Sequence, residues 1–185
     1  IINLKGINIK SNNIDNFVVL PHLRAKKPII CALIDKELTT KARGVFDEVI
    51  EKSNFAKLSK KEIKKLSTKC DYFLAQGNIM PDIATTFGKI LGPKGKMPNP
   101  KLGSIVPPNI ETLKPVYDRL QKTVRLATKN EPIIKCAIGD EDMKDEEIAD
   151  NLIAIHHSII PLLPDGAANI KSTLLKLTMG STVKI

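Results

Sequence analysis

Apolar and polar positions alternate near both ends of the chain, a pattern that predicts half-buried β-strands. Over residues 1–10 the alternation slips at Gly6, which indicates a strand with a bulge or bend. Further strands are predicted over 17–20, 123–127, 133–138 and 170–177, with a tail after the last one. Residues 146–160 space their apolar side chains by three and four, begin with an acidic turn and precede Pro161, which predicts a helix.

The middle of the chain alternates strands with helices. The unbroken apolar run at 28–34 is typical of a strand buried on both faces, and 71–75 is predicted as a second strand. Apolar spacing predicts helices over 36–50, 59–68, 82–91 and 109–121, the last capped by Asn109. This order of elements favours a parallel sheet with helices on its faces.

A stretch rich in glycine and proline, residues 92–108, interrupts the alternation. Such a composition predicts that it neither continues the preceding helix nor enters a central strand. We therefore expect a long irregular loop, and loops of this kind within compact domains are usually functional.

Residues 88–96 suggest two phosphate-binding motifs. A Walker loop requires glycine where Pro93 stands, and serine or threonine where Met97 stands, so that interpretation fails. The Gly92–Gly95 spacing matches the backbone clamp of K-homology RNA modules, but a lone pair of glycines is weak evidence. An enzyme that binds a nucleotide or another phosphorylated ligand remains the alternative function.

Charge points to a polyanionic partner. The 185 residues include 29 Lys+Arg and 20 Asp+Glu, a net charge of +9. Residues 51–101 hold eleven basic and four acidic side chains, so +7 of that excess is concentrated there. A concentrated positive surface is the usual mark of a protein that neutralises phosphates.

Other classes of protein find little support in the sequence. The longest apolar run is far shorter than a membrane span, and the first residues do not form a signal peptide. Because the chain begins on Ile1 rather than Met, we expect upstream residues to be missing. The cysteines, Cys31, Cys70 and Cys136, form no CxxC pair, which favours free thiols in a reducing compartment over disulfides or a zinc site.

Catalytic and metal-binding groups are also sparse. His156 and His157 are adjacent on a predicted helix and point about 100° apart, and His22 is expected on the surface without a partner. The acidic run 140–147 has Asp145 where a calcium-binding loop needs glycine, so we interpret it as a helix entry. The sequence predicts no enzyme, no cofactor and no metal.

Residues 89–101, KILGPKGKMPNPK, resemble the signature of the universal large-subunit ribosomal protein L-one family. Residues 18–22 (VVLPH), 150–151 (DN) and 177–180 (LTMG) agree with it, in the family's order. The resemblance spans nearly the whole chain and is closest to archaeal-type members. The chain departs from the family at 23–27, where a glycine-containing basic turn is usual, and lacks the family's upstream RNA-contacting aromatic.

The resemblance implies an α/β fold with two domains. Residues 1–26 and 121–185 would form a discontinuous split β-α-β (RRM-like) domain that binds RNA. Residues 27–120 would form an inserted, Rossmann-like, three-layer α/β domain. The implied protein is a cytoplasmic structural constituent of the large ribosomal subunit, at the mobile stalk beside the exit site, where it assists tRNA movement and release. Its implied partners are ribosomal RNA, exit-site tRNA and, as a translational repressor, its own mRNA. It is expected to be a monomer when free and to bind no membrane.

The family's main RNA contact centres on a Thr-Met-Gly sequence, here Thr178, Met179 and Gly180. Glycine permits close backbone approach, threonine can bond a 2′-hydroxyl, and methionine can pack on a base or ribose. Without the family, these three residues would be interpreted as a strand end and turn. Ser172 and Lys176 lie an even number of residues earlier, on one face of a continuous strand. The predicted RNA-binding set is Ser172, Lys176, Thr178, Met179, Gly180, Ser181, Lys135 and Lys129.

A secondary basic surface is predicted in the inserted domain, where the charge is strongest. It comprises Lys60, Lys61, Lys64, Lys65, Lys94 and Lys96. We expect the terminal domain to recognise its RNA by shape and hydrogen bonding, while these lysines provide a diffuse field toward tRNA or other ribosomal RNA.

Overall fold

The computed structural model describes residues 1–8, 12, 14–24, 27–107, 113–128 and 131–185. The chain divides into two compact units. The terminal unit comprises Ile1–Lys26 and Lys122–Ile185, and the central unit comprises Lys27–Gln121. Strands and helices occur in both units, which confirms the predicted α/β class.

The elements follow one another along the chain. The strands are β1 (Ile2–Leu4), β2 (Asp15–Val19), β3 (Ile30–Ile34), β4 (Glu48–Glu51), β5 (Tyr72–Gln76), β6 (Ile105–Val106), β7 (Thr123–Ala127), β8 (Ile133–Ile134), β9 (Ile170–Leu175) and β10 (Val183–Lys184). The α-helices are α1 (Lys36–Arg43), α2 (Lys60–Lys69), α3 (Met80–Lys94), α4 (Lys114–Lys122) and α5 (Asp145–Ile159).

The central unit contains a parallel sheet with the strand order β4-β3-β5-β6. All five residues of β3 are buried, as expected for an apolar run flanked by strands on both sides. The main core joins the sheet to α2 and α3, and it includes the rings of Phe55 and Phe87, which meet edge to face with centroids 5.1 Å apart.

The predicted helix over 36–50 is wrong in its second half. The helix α1 ends at Arg43, before Gly44, and β4 then pairs with β3 in parallel. Phe46, which fitted the helical spacing, lies in the connection, where its N–H donates to the carbonyl of Ala42 at 2.9 Å. Its ring is buried and meets that of Tyr117 edge to face, at 5.5 Å between centroids. The apolar side chain of Phe46 therefore packs in the core of the central unit and is not part of a helix.

The expectation that 92–108 does not continue the preceding helix is wrong for its first three residues. The helix α3 runs through Pro93 to Lys94, because a proline in the last turn removes only one backbone hydrogen bond. The helix ends at Gly95, whose φ is +63°. The Gly95 N–H donates to the carbonyl of Gly92 at 2.8 Å, and the Lys96 N–H donates to the carbonyl of Leu91 at 3.1 Å. A 3-10 turn at Pro100–Leu102 and the edge strand β6 follow. The predicted cap Asn109 lies outside the described residues.

The terminal unit contains an antiparallel sheet with the order β10-β9-β1-β8 and a two-stranded antiparallel sheet of β2 and β7. Its core includes Ile2, Leu126 and Ile155, from β1, β7 and α5. The strand predicted over 1–10 ends at Leu4, after a shift of register beside Asn3. The strand predicted over 133–138 likewise ends at Ile134.

A buried asparagine ties the segment after β2 to α5. The Asn151 carboxamide accepts the N–H of His22 at 3.0 Å and donates to the carbonyls of Ile138 at 2.8 Å and His22 at 3.3 Å. The His22 ring, predicted without a partner, lies 3.1 Å from the Asp150 carboxylate. Residues 18–22 and 150–151, two of the sequences that carried the family resemblance, therefore meet in space.

Candidate nucleic-acid interface

The segment around Thr178 is a hairpin loop, rather than part of a tail that follows the last strand. Val183 pairs with Leu175, so β10 folds back along β9. Within the loop, the Gly180 N–H donates to the carbonyl of Leu177 at 3.2 Å. The sequence analysis missed β10, which has only two residues.

The hairpin loop presents apolar and hydroxyl groups together. Every residue from 176 to 185 is exposed, and Met179 is 95% exposed. Leu177, Val183 and Ile185 also expose more than half of their surface. An apolar group of this kind on an exposed loop often marks an interaction site.

Gly180 has a local steric reason to be glycine. Its φ does not fall in the left-handed region, so conformational freedom is not the reason. A Cβ added at this position would lie 3.2 Å from the Cβ of Leu177, closer than ordinary contact. A larger side chain would therefore change the shape of the loop.

The other predicted RNA-binding residues lie at different distances from the loop. Ser181 is in it and is exposed, and Lys176 is exposed one residue after the end of β9. Ser172 lies on β9, half-buried, where its hydroxyl accepts a hydrogen bond from Asn3 at 2.9 Å. Lys135 follows β8, which is separated from β9 by β1, so it is not adjacent to the hairpin.

Two more lysines bear on the proposed RNA-binding residues, one that was predicted and one that was missed. Lys129 lies outside the residues that the structure describes. Lys184 was not predicted, yet it is exposed on β10 opposite Leu174 and adds a positive charge to the hairpin. The alternation of apolar and polar residues at 183–185 was the available signal.

The predicted basic surface of the central unit separates into two groups. Four exposed lysines form the α2 lysine face, which comprises Lys60, Lys61, Lys64 and Lys65. The helix begins with a capping box: the Ser59 N–H and hydroxyl donate to the Glu62 carboxylate at 2.7 and 2.8 Å, and the Glu62 N–H donates to Ser59 Oγ at 3.3 Å. The hydrogen bonds from Ser59 lower the pKa of Glu62.

Lys94 and Lys96 bind the other end of α2 instead. The Lys94 ammonium donates to the hydroxyls of Ser67 at 2.7 Å and Thr68 at 3.2 Å. The Lys96 ammonium donates to the carbonyl of Cys70 at 2.7 Å. Both lysines therefore satisfy oxygen atoms at the helix C-terminus, where positive charge is favourable.

Neither a phosphate loop nor a metal site emerges from the described part of the chain. Residues 88–94, part of the stretch tested for a Walker loop, lie inside α3. No group of three histidine, cysteine or acidic side chains is positioned to hold a metal ion among the residues that the structure describes. Within the same residues, no helix has the length and apolar character needed to span a membrane.

An α/β protein with an exposed apolar hairpin and a lysine-covered helix has the features of a nucleic-acid-binding protein. The sequence model of the Ribosomal protein L1p/L10e family matches residues 1–181. The chain is 38% identical to the large ribosomal subunit protein uL1 of Nanoarchaeum equitans, over 100% of this chain and 88% of that protein. It is 38% and 37% identical to the proteins of the same name from Pyrococcus abyssi and Thermococcus kodakarensis, over 100% of this chain and 84% and 85% of theirs.

The chain belongs to the Ribosomal protein L1p/L10e family, and its relatives confirm the resemblance to archaeal-type members. Membership confirms two further predictions, namely that this is a non-enzymatic ribosomal protein and that its location is the ribosome in the cytoplasm. The nucleotide-binding enzyme kept as the alternative is not favoured.

Proposed function

We propose that this protein is a constituent of the large ribosomal subunit and that its terminal unit binds ribosomal RNA through the β9–β10 hairpin. One observation carries the proposal: Met179 is 95% exposed in a loop stabilised by β10 pairing. Exposing a methionine this fully has no benefit for the fold, whereas the side chain can pack against a base or ribose.

The neighbouring groups suit the same ligand. The hydroxyls of Thr178 and Ser181 can bond a 2′-hydroxyl or phosphate, and Lys176 and Lys184 supply positive charge. RNA recognition of this kind depends on the shape of the loop. The close approach of Gly180 to Leu177 limits which residues that shape accepts.

The two units support a division of labour. We assign the terminal unit, with its antiparallel sheet and α5, as the discontinuous RRM-like RNA-binding domain, and the central unit, with its parallel sheet, as an inserted Rossmann-like domain. The α2 lysine face would attract exit-site tRNA through its charge as tRNA moves and leaves the mobile stalk. Repression of the protein's own mRNA would use the same hairpin, because a message that mimics the ribosomal site presents the same contacts. The free protein is proposed to be a monomer.

The proposal is tested with the full chain and a large-subunit RNA fragment containing the stalk site, alongside a scrambled RNA of equal length. Met179→Ala and Gly180→Val are expected to reduce affinity for the specific RNA at least tenfold and to affect the scrambled RNA little. Ile153→Ala is the matched control, since Ile153 is another exposed apolar residue of the terminal unit, on α5. Unchanged specific affinity in both hairpin variants, with circular dichroism showing intact folds, would refute the assignment.

A further inference from the structure

Met179 differs from the other methionines of the chain in its exposure. All four methionines belong to the described residues. Met80 and Met97 are half-buried against the core of the central unit, and Met143 is half-buried beside Gly139. Met179 is 95% exposed, so its sulfur atom is open to small solutes. Exposure governs which thioether a dissolved oxidant reaches first.

The loop around Met179 leaves its side chain open to solvent. The apolar neighbours Leu177 and Val183 each expose more than half of their own surface. The loop is held by backbone contacts, namely the pairing of Val183 with Leu175 and the hydrogen bond from the Gly180 N–H to the carbonyl of Leu177. A chemical change at the Met179 sulfur should therefore leave the hairpin folded.

We propose that Met179 is a modification site, at which a hydroperoxide oxidises the thioether to a sulfoxide and thereby switches off specific RNA binding. This regulation rests on the proposed function, in which the same side chain packs against a base or ribose. With hydrogen peroxide, a sulfur lone pair attacks one oxygen and the O–O bond breaks. The transferred oxygen gives its proton to the leaving hydroxide, which departs as water. The sulfur loses two electrons and the peroxide gains them.

The sulfoxide changes the polarity of the contact more than its size. It adds an oxygen atom that accepts hydrogen bonds strongly, and burying such an atom against RNA without a donor is costly. The hydroxyls of Thr178 and Ser181 and the charges of Lys176 and Lys184 remain. We therefore expect oxidation to remove much of the specific affinity and to leave the general attraction to RNA nearly unchanged.

Bound RNA and the oxidant compete for the same side chain. Where the Met179 side chain packs on RNA, its sulfur is covered, so oxidation should be slower in the complex than in the free protein. The free protein is then the sensitive form, and oxidation acts before the protein joins its RNA. A methionine sulfoxide reductase returns the sulfoxide to the thioether, with thiols as the reductant and water as the product, so the switch is reversible.

The experiment treats the full chain with a low dose of hydrogen peroxide, free and bound to the specific RNA. Dithiothreitol is added afterwards, because it reverses disulfides and sulfenic acids of the three free cysteines but leaves methionine sulfoxide in place. Peptide mass spectrometry of the free protein should show a gain of about 16 Da on Met179 before Met80, Met97 or Met143, and a slower gain in the complex.

Binding is then measured with the oxidised protein. Its affinity for the specific RNA should fall about tenfold, while its affinity for the scrambled RNA and its thermal midpoint stay nearly unchanged. Incubation with a methionine sulfoxide reductase should restore the specific affinity.

Matched variants isolate the sulfur atom. Met179→Leu keeps the apolar bulk without a sulfur, so its specific affinity should not respond to peroxide. Met179→Gln carries a polar amide at a similar length and should bind as the oxidised protein does, without any peroxide. Met143→Leu should stay as sensitive as the wild type, since it removes a thioether far more buried than that of Met179.

The outcomes separate this regulation from the proposed function. If the untreated wild type does not prefer the specific RNA to the scrambled RNA, the proposed function fails and the regulation fails with it. If that preference is present, the regulation alone is overturned by any of three results. These are equal specific affinity of the oxidised protein, equal sensitivity of Met179→Leu to peroxide, and oxidation of Met179 no earlier than that of the other methionines.

Discussion

The buried carboxamide of Asn151 gives the sharpest test of how the terminal unit is held together. It is fully buried and makes three hydrogen bonds, two with the backbone of His22 and one with the carbonyl of Ile138. Asn151→Ala removes all three at once and leaves one backbone donor and two acceptors without their partner. Because these groups are partly buried, water can replace the lost bonds only incompletely.

The expected loss of unfolding free energy follows from the number of hydrogen bonds that Asn151→Ala removes. At about 1 kcal/mol of net stability for each hydrogen bond, the variant should lose about 3 kcal/mol of unfolding free energy. That is a large share of the ~5–15 kcal/mol that stabilises a typical domain. The terminal unit contains 26 residues from Ile1–Lys26 and 64 from Lys122–Ile185, 90 in total. For a unit of this size, about 3 kcal/mol lowers the midpoint of thermal unfolding by about 15 °C.

The assay follows thermal unfolding by circular dichroism, which reports both units, and by tyrosine fluorescence. The fluorescence reports only the central unit, because the two tyrosines of the chain, Tyr72 and Tyr117, both belong to that unit. The matched control is Asp150→Ala, since Asp150 is the adjacent residue and contacts His22 through an exposed side-chain hydrogen bond. That variant should lose about 0.5 kcal/mol or less. If Asn151→Ala is no less stable than Asp150→Ala, the carboxamide does not hold the segment after β2 to α5, and our reasoning fails.

Three further outcomes are expected. Replacing all four residues of the α2 lysine face with glutamine should weaken binding to specific and scrambled RNA equally. A salt titration should show that the slope of log affinity against log salt falls by about 3, and a loss of discrimination between the two RNAs would contradict this prediction. Gly95→Ala should destabilise the central unit by about 1 kcal/mol, because the φ of Gly95 is +63°. Gly88 lies inside α3, and a Cβ added there would have nothing within 4 Å, so Gly88→Ala should stabilise the unit by about as much. Urea unfolding of both variants tests this difference in sign. Ser59→Ala should raise the pKa of Glu62 only part of the way toward its ordinary value, as NMR titration of that carboxyl would show. The variant keeps the backbone N–H at position 59, which is the larger cause of the lowered pKa, and loses only the hydroxyl hydrogen bond. A folded pKa below the unfolded one means that this contact stabilises α2 above the ordinary pKa and ceases to do so as the pH falls through the lowered value.

Hydrophobic spacing predicted elements well where packing and local pattern agree. The strand β7 has its predicted bounds, and β3 is buried on both faces as its apolar run indicates. Spacing failed where one pattern serves two elements, as in residues 36–50, whose apolar side chains belong to α1, a turn and β4. Composition failed at Pro93, because proline near the end of a helix breaks few hydrogen bonds.

The candidate site shows the same limit. The family resemblance indicated Thr178, Met179 and Gly180, but the pattern of residues did not reveal the hairpin that presents them. That hairpin depends on the pairing of Val183 with Leu175, a tertiary contact between short segments with little local preference. Lys94 and Lys96 illustrate the converse, because their charge suggested a ligand whereas their ammonium groups bind oxygen atoms at the end of α2.

The two proposed RNA contacts differ in kind, and salt separates them. The α2 lysine face consists of exposed charges, whose attraction to phosphates is screened beyond about 10 Å at 0.1 M salt. The β9–β10 hairpin loop combines apolar and hydroxyl groups, with Met179 fully presented to solvent, and such contacts weaken little as salt increases. Specific binding that persists at high salt would therefore have to come from the hairpin, whereas binding that is lost there for every RNA would come from the lysines. Under our proposal, the charge concentrated in the central unit would attract RNA, and the exposed methionine of the terminal unit would recognise it.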